Sequence, residues 1–187
     1  AVVLFMLPND PHIYVMAMFW LPEELLERRV REDRIPYDLW KDQGYLRTCE
    51  GNKVRQKDVT DWFLEVQNDL DCYIYRGGYD AWSASYWVDE MQETFGKGVF
   101  TPVQQTMKVL SLPMKQLGAD FDSKLIVYNN NPVLKWCLAN TGIVEDKNGN
   151  IKPNKTSKVR KRIDGLAALL DAFVVFQDCQ DDYKSML

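Results

Sequence analysis

Three acidic residues stand where a carboxylate could hold a metal ion. Asp80 follows the apolar, glycine-rich segment "YIYRGGY", and Asp164 opens the apolar segment "DGLAALLDAF", in which Asp171 comes seven residues later. Ligand sites of α/β sheets form at the carboxyl ends of strands. Carboxylate oxygens are ligands for hard divalent cations. The sequence therefore indicates a candidate divalent-cation site at Asp80 and Asp164.

Both Asp80 and Asp164 also have an ordinary structural explanation. Asp is a preferred N-cap, and a predicted helix follows each of them. Asp171 falls on nearly the same helix face as Asp164, but roughly 10 Å further along a straight helix. The ions of a two-metal site are only about 3.5–4 Å apart. We therefore expect Asp171 to support the site rather than to share a metal with Asp164.

A basic run directly precedes Asp164. Residues 155–162, "KTSKVRKR", hold five basic residues. Such a run is either a solvated loop or a surface that neutralises the phosphates of a nucleic acid. Its position beside an acid favours a site in which acids hold metal and bases hold a phosphate backbone. The candidate phosphate contacts are Lys152, Lys155, Lys158, Arg160, Lys161 and Arg162.

The composition restricts the class of protein. The 187 residues are 46% hydrophobic, which is enough for one domain with a core, predicted over residues 1–187. The net charge of −4 excludes a molecule that is basic throughout. No apolar run approaches about 18 residues, so no membrane span is expected. No GxxxxGK[ST] motif occurs, which argues against nucleotide hydrolysis in this chain.

Histidine and cysteine are too sparse for several kinds of site. His12 is the single histidine, and the four cysteines contain no CxxC pair. A zinc site and a Ser-His-Asp or Cys-His catalytic set are therefore disfavoured. Free thiols in a reducing cytoplasm are the simplest interpretation of the cysteines.

Hydrophobic patterns predict strands and helices in alternation, which is typical of an α/β domain with a mixed sheet. The predicted strands are 1–7 and 12–20 as a hairpin, 45–51, 71–80, 99–103, and a hairpin over 143–153 with Asn-Gly at its turn. The predicted helices are 21–34, 35–44 as a short helix or turn, 58–70, 81–96, 104–118, 122–128, 131–140 and about 163–178.

Several segments resemble one known family. "GGYDAW" (77–82), "NNPVLKWCLANTGIVEDKNGNIKPNK" (130–155) and "KRIDGLAALLDAF" (161–173) resemble the C-terminal nuclease domain of the large terminase subunit of tailed bacteriophages. "FWLPEE" (19–24) and "YLRTCEGNKV" (45–54) also match segments of that family. The resemblance covers essentially the whole chain. The combination is specific, although each motif alone is weak.

The resemblance implies a function and its setting. The fold would be ribonuclease H-like, a mixed sheet flanked by helices, with a two-metal endodeoxyribonuclease site that uses Mg²⁺ or Mn²⁺. The family domain cuts concatemeric double-stranded viral DNA during genome packaging. Its partners are an N-terminal ATPase domain, the small terminase subunit and the portal. The expected location is the cytoplasm of a bacterial host, for a phage or prophage protein.

The resemblance carries two acids onto this chain. Asp80 matches the acid after the central strand, and Asp164 matches the acid of the final "IDG" motif. The family's first acid lies on a strand before the point where this sequence starts, so we expect that strand and its Asp to be absent. A site with two ligands instead of three should bind metal weakly, so the chain alone should have weak or no nuclease activity. Open strand edges would also favour self-association.

This sequence departs from the family pattern at two places. Glu50 stands where a small residue or Pro is usual, and Tyr128-Asn129 stands where a histidine often occurs. Two alternatives stay open: a non-catalytic DNA-binding or portal-docking module, and another ribonuclease H-like nuclease such as a resolvase. The "NPVLKW" and "NGN" segments favour the terminase family over the second.

Overall fold

Strands and short helices alternate along most of the chain in the computed structural model, which describes residues 1–82, 84, 87–155 and 161–187. The strands are β1 (Val2–Phe5), β2 (Ile13–Ala17), β3 (Phe19–Pro22), β4 (Leu46–Cys49), β5 (Gly77–Asp80), β6 (Phe100–Val103), β7 (Ile126–Val127), β8 (Thr141–Glu145) and β9 (Ile151–Lys155). The helices are α1 (Leu26–Asp33), α2 (Tyr37–Asp42), α3 (Gln56–Asp69), α4 (Val88–Phe95), α5 (Met107–Asp122), α6 (Pro132–Ala139) and α7 (Asp164–Lys184).

Among the described residues, the strands form four separate hydrogen-bonded sheets. β1 pairs antiparallel with β2, which pairs parallel with β7 on its other side. β3 pairs parallel with β4, and β5 pairs parallel with β6. β8 and β9 form an antiparallel hairpin. The predicted mixture of parallel and antiparallel pairing, with helices between the strands, is therefore confirmed.

The largest core cluster is built on β1, β2, β6 and β7. Helix α7 contributes Leu169 and Phe173, both fully buried, against Val2 of β1 and Val103 of β6. Leu110 of α5 completes this layer. Burying side chains of this size is the main favourable contribution to folding.

A second apolar layer covers the opposite face. Phe63 of α3, Met91 of α4 and Phe100 of β6 are buried there, and Val3 of β1 packs against them. Val2 and Val3 face different clusters because successive strand residues point to opposite faces of a sheet. β1 and β6 are therefore covered on both sides, as strands in the interior of an α/β domain are.

Two predicted segments have a different structure. The predicted helix over 122–128 is wrong, because α5 ends at Asp122 and Ile126 pairs with Ile13 as part of β7. Lys124, between them, has a φ of 58° and so departs from helical geometry. The predicted strand over 12–20 is divided, because β2 and β3 join different ladders.

Other boundaries shift. The predicted strand over 71–80 shortens to Gly77–Asp80, and the predicted helix over 81–96 shortens to Val88–Phe95. Helix α7 extends beyond the predicted residue 178 to Lys184. The hairpin with the Asn-Gly turn is confirmed. Among the described residues, no helix combines the length and apolarity needed to cross a bilayer.

Candidate metal and phosphate site

Asp80 is the last residue of β5 and is half-buried. Its Oδ1 accepts a hydrogen bond from the backbone N–H of Trp82 at 2.9 Å, and its carbonyl oxygen accepts one from Ala84 at 3.1 Å. The carboxylate therefore directs the chain into a turn. Helix α4 begins only at Val88, so the prediction that Asp80 caps the following helix is wrong.

Two glycines set β5 close to its neighbours. A Cβ atom at Gly77 would overlap the ring of Phe100, the residue opposite it on β6. A Cβ atom at Gly78 would lie 2.6 Å from the carbonyl oxygen of Asp171 in helix α7. Only glycine fits this close backbone approach. The "GG" before "YD" therefore fixes the end of β5 against both β6 and α7.

Asp164 is the first residue of α7, and it is exposed. The N-cap position is Ile163, and no side-chain hydrogen bond caps the helix. The capping explanation for Asp164 is therefore wrong as well. A carboxylate in the first turn still interacts favourably with the helix dipole. Its exposure leaves it accessible to a ligand from solvent.

The start of α7 is held by close packing. A Cβ atom at Gly165 would lie 3.0 Å from Cε1 of Phe19 and 3.1 Å from Sγ of Cys137. Asn140 also donates a hydrogen bond from Nδ2 to the carbonyl oxygen of Arg162 at 3.1 Å. The glycine of "IDG" therefore lets the helix start lie against α6 and β3, which fixes the backbone beside Asp164.

The negative charge of Asp164 acts on groups close to it, and these groups show where Asp164 lies. Asp164 is an electrostatic neighbour of the backbone nitrogen of Ala1. Burial raises the pKa of the Cys137 thiol to about 11, with Asp164 adding to the increase. Asp164 therefore lies beside the residue that leads into β1. The thiols of Cys49, Cys72, Cys137 and Cys179 are all free.

Asp171 lies inside the molecule, with 6% of its surface exposed. Burial raises the pKa of its carboxyl to about 6. The hydrogen bond from Gln105 Nε2 to its Oδ1, at 2.7 Å, opposes that increase, and the negative charge of Asp80 adds to it. Asp80 and Asp171 are thus electrostatic neighbours, with Asp171 behind Asp80 in the interior.

Helix α7 connects the three acids. It contains Asp164 and Asp171, and it packs against β5, which ends at Asp80, and against β1. Within the described part of the chain, no group of three or more His, Cys, Asp or Glu side chains is arranged to hold a metal. The chemistry of the available donors still fits Mg²⁺ or Mn²⁺, because Mg²⁺ is commonly bound by one or two carboxylates together with waters and substrate phosphates.

The predicted phosphate contacts differ in accessibility. Lys155, at the end of β9, is exposed, and Lys152 on the same strand is half-buried. Lys158 and Arg160 lie outside the described residues. Lys152 and Lys155 therefore lie on the second strand of the β8–β9 hairpin.

Arg162 already has partners within the protein. Its guanidinium lies near the phenol of Tyr37, and its carbonyl oxygen accepts from Asn140. Burial raises the pKa of Tyr37, so the phenol stays protonated. Lys161, next to it, is half-buried. A phosphate contact from Arg162 would compete with its position beside Tyr37.

The β8–β9 hairpin has a rigid turn. Asp146 Oδ1 accepts hydrogen bonds from the backbone N–H groups of Asn148 and Asn150, at 2.8 and 2.9 Å. Hydrogen bonds from the side chain and backbone of Asn150 hold the pKa of Asp146 below its usual range. Gly149 adopts a φ of 76°, which glycine tolerates without strain. The turn is thus built by its own side chains.

Helix α5 supports this hairpin. Ser111 Oγ accepts a hydrogen bond from the backbone N–H of Ile151 at 3.0 Å. Lys115 donates from Nζ to the carbonyl oxygen of Gly149 at 2.7 Å. Both contacts attach the hairpin to the same helix. The positions of Lys152 and Lys155 therefore depend on α5.

Two residues near Asp80 escaped the sequence interpretation. Gln105 lies in a loop and has no motif or spacing that marks it, because its role depends on a contact with Asp171, 66 residues away. Trp82 lies within the segment predicted as a helix over 81–96, and its side chain is 87% exposed. Exposure of an aromatic beside a candidate site is a signal that only the structure provides.

Comparison with known proteins identifies the family. Residues 1–179 match the family model described as the terminase large subunit, endonuclease domain. The match covers nearly the whole chain, and the chain belongs to this family.

One relative supplies both a sequence and a structure. The large terminase subunit of Enterobacteria phage HK97 is 31% identical over 159 residues, which are 83% of this chain and 30% of that protein. The crystal structure of the HK97 bacteriophage large terminase superimposes with a TM-score of 0.81 at 27% identity, covering 93% of this chain and 36% of that one. This chain therefore spans about a third of the length of its relative.

Proposed function

We propose that this chain is a metal-dependent endodeoxyribonuclease domain that cuts concatemeric viral DNA during genome packaging. The observation that carries the proposal is the arrangement of two carboxylates within a terminase endonuclease fold. Asp80 ends β5 and Asp164 begins α7, and these two elements pack directly against each other. Family membership supplies the reaction class.

Asp80 and Asp164 would hold Mg²⁺ or Mn²⁺. The bound ions would supply a water of lowered pKa and would stabilise the departing 3′-oxygen. The N–H of Trp82 donates to Oδ1 of Asp80 and so helps to orient the carboxylate. Asp164 is exposed at the start of the helix. There it could bind a metal ion that also contacts a DNA phosphate.

The basic residues would hold the DNA backbone. Lys155 is exposed, and Lys152 lies on the same rigid hairpin. Lysines bind phosphates as point charges without reading bases, so sequence preference should be low. Lys158, Arg160, Lys161 and Arg162 belong to the same proposed surface.

We also propose that the fold is ribonuclease H-like, with room for one further strand between β1 and β5. Both strands pack against α7, and β1 is covered by apolar layers on its two faces. Within the described residues β1 pairs with β2 alone and β5 with β6 alone. A strand in this position would join the two ladders into one sheet. According to the family resemblance, it would carry the third acid.

Plasmid cutting by the natural full-length protein that contains this chain tests the proposed reaction. With Mn²⁺ or Mg²⁺, the Asp80→Asn and Asp164→Asn variants should each lose at least a hundredfold in rate, because each removes a charged ligand. Asp178→Asn, an exposed acid on the same helix α7, is the matched control and should cut normally. Normal cutting by Asp164→Asn would overturn the proposal.

A non-catalytic DNA-binding or portal-docking module is the second candidate. The observation in its favour is that the described residues contain no group of three metal-ligating side chains. Such a module needs the lysines of the hairpin but not the two acids. DNA binding that survives in Asp80→Asn, together with absent Mn²⁺ binding in the unaltered protein, would favour it. The terminase family match decides against the resolvase alternative.

The partners follow from the proposed role. Double-stranded DNA would be the substrate, and the small terminase subunit and the portal would be the other components of the packaging motor. An ATPase domain elsewhere in the full subunit would supply the motor's energy, since residues 1–187 contain no GxxxxGK[ST] motif. The work would take place in the cytoplasm of the bacterial host.

A further inference from the structure

Gln105 connects helix α7 to the end of β6. Its Nε2 donates to Oδ1 of Asp171 at 2.7 Å and to the carbonyl oxygen of Val103 at 3.2 Å. A primary amide has two N–H groups, so one side chain can make both bonds at once. Asp171 belongs to α7 and Val103 is the last residue of β6. The bond to Asp171 spans 66 residues of sequence.

This connection lies next to Asp80. Val103 is the residue opposite Asp80 in the parallel β5–β6 ladder. From the other direction, the backbone of Asp171 approaches Gly78 too closely for any side chain there. Asp171 is therefore in contact with the strand pair both through Gln105 and through its own carbonyl oxygen.

Burying the carboxyl of Asp171 lowers the stability of the fold, so a buried Asp at this position needs an explanation. A carboxyl in an apolar interior destabilises the fold unless hydrogen bonds compensate for the lost water. Its neighbours on α7, Leu170 and Phe173, form an apolar core that a leucine at this position would extend. An apolar contact tolerates sliding, whereas a hydrogen bond requires a particular distance and direction. A polar contact between two elements can therefore specify their relative position.

We propose that Gln105 and Asp171 form a positioning brace that sets α7, and with it Asp164, relative to Asp80. The brace rests on the proposed function, because its purpose is to hold the two acids at the separation that a divalent cation requires. Neither Gln105 nor Asp171 touches the metal or the DNA in this account. They act through Val103 and the backbone of α7.

Four single variants and one double variant of the natural full-length protein test the brace. Gln105→Leu removes the bond at similar volume, Asp171→Leu removes it with a larger apolar side chain, and the double variant combines them. Asp171→Asn keeps an Oδ1 acceptor for Gln105. Gln116→Leu is the matched control, because Gln116 Nε2 donates to Oδ1 of Asp120 at 2.9 Å within helix α5 and joins no second element.

Two measurements are needed. Amide hydrogen exchange of residues 77–80 and of Phe100, Thr101 and Val103, without metal, reports whether the strand pair stays fixed to α7. Calorimetric titration with Mn²⁺ reports whether the acids are held in place. Gln105→Leu and Asp171→Leu should speed the exchange and weaken Mn²⁺ binding roughly tenfold or more, as expected when a group that orients ligands is lost.

The other variants separate positioning from general destabilisation. The double variant should be no worse than either single variant, because both remove the same bond. Asp171→Asn should keep most of the Mn²⁺ affinity. Gln116→Leu should lower the melting temperature without changing exchange in the strands or the Mn²⁺ affinity.

The outcomes that overturn the brace are distinct. Faster exchange with unchanged Mn²⁺ affinity would give the pair a purely structural role. Unchanged exchange in Gln105→Leu, or an Asp171→Asn variant as impaired as Asp171→Leu, would also overturn it. If the unaltered protein binds Mn²⁺ and the variants bind it equally well, the brace alone fails. If the unaltered protein binds no Mn²⁺, the proposed metal site and the positioning role fail together.

Discussion

Asp164 and Asp171 have the same side chain on the same helix, yet their surroundings give them different chemistry. Asp164 is exposed at the start of α7, where its side chain is accessible from solvent and lies in the first turn of the helix. Asp171 is buried, and burial raises the pKa of its carboxyl to about 6. The exposed acid can hold a cation, whereas the buried one holds a neighbouring side chain.

The pKa of Asp171 predicts how stability depends on pH. Burial raises this pKa from 3.8 to about 6, so the folded state binds the proton more tightly than the unfolded state. The proton then stabilises the fold fully below about pH 4, and this contribution is lost as the pH rises through about 6. Asp171→Asn should therefore gain stability over the unaltered protein by roughly 2–3 kcal/mol at pH 7 and by little at pH 4.

Chemical denaturation at the two pH values measures this difference. The Asn side chain keeps the acceptor for Gln105, so the comparison isolates the charge. An equal change in unfolding free energy at pH 4 and pH 7 would contradict the assignment of the raised pKa to Asp171.

Gly78 should not tolerate a side chain. A Cβ atom there meets the Asp171 carbonyl oxygen, a backbone atom that cannot rotate away, so β5 and α7 would have to separate. Gly78→Ala should lower the unfolding free energy by about 1–3 kcal/mol. It should also reduce DNA cutting. Thermal denaturation and plasmid cutting measure the two effects.

Gly118→Ala is the matched control for that substitution. Gly118 lies within helix α5, and a Cβ atom there would meet nothing within 4 Å. Alanine should stabilise this helix by up to about 1 kcal/mol. Equal losses of stability and of DNA cutting in the two variants would contradict the claim that Gly78 is needed for the close packing of β5 on α7.

At the scale of elements, the sequence predicts most strongly where a local pattern fixes the structure. The Asn-Gly turn predicts the β8–β9 hairpin, which the bonds to Asp146 then stabilise. β7 was missed because a two-residue strand has no periodicity to detect, and its pairing with Ile13 is a tertiary contact. Gln105 also has no local pattern that marks it, because its role depends on a tertiary contact with Asp171. The acids were identifiable by type and motif, whereas their partners depend on packing between distant segments.

The hairpin should act as a phosphate-binding element. Lys152→Ala and Lys155→Ala should each weaken binding to duplex DNA and reduce the slope of log K against log salt concentration by about 1. Fluorescence anisotropy between 50 and 200 mM salt measures both quantities for duplexes of different sequence. The loss should be similar for every sequence, because phosphate contacts carry no base information.

Lys57→Ala provides the comparison for the hairpin variants. Lys57 lies on α3, and its ammonium already pairs with Asp61 at 2.9 Å. Its loss should leave the salt dependence unchanged. An identical change of slope in all three variants would attribute DNA binding to overall charge instead of to the hairpin.

The whole molecule matches the HK97 large terminase closely in fold while covering about a third of its length. Its strands form separate ladders, with β1 and β5 each paired on one side only among the described residues. We predict that residues 1–187 alone cut plasmid DNA weakly or not at all with Mn²⁺, because two carboxylates hold the ions less firmly than three. The open strand edges should also make this piece self-associate.

Two experiments on the isolated piece check this expectation. Robust cutting that depends on Asp164 would contradict the need for a third acid. Sedimentation that shows a clean monomer at high concentration would contradict self-association.

Calorimetric titration of Mn²⁺ into the natural full-length protein tests the central claim most directly, which is that Asp80 and Asp164 share one metal site. Asp80→Asn and Asp164→Asn should each weaken Mn²⁺ binding at least tenfold, and the double variant should bind none that calorimetry detects. Mn²⁺ binding that is unchanged in Asp164→Asn would contradict the account, because the exposed acid at the start of α7 would then hold no metal.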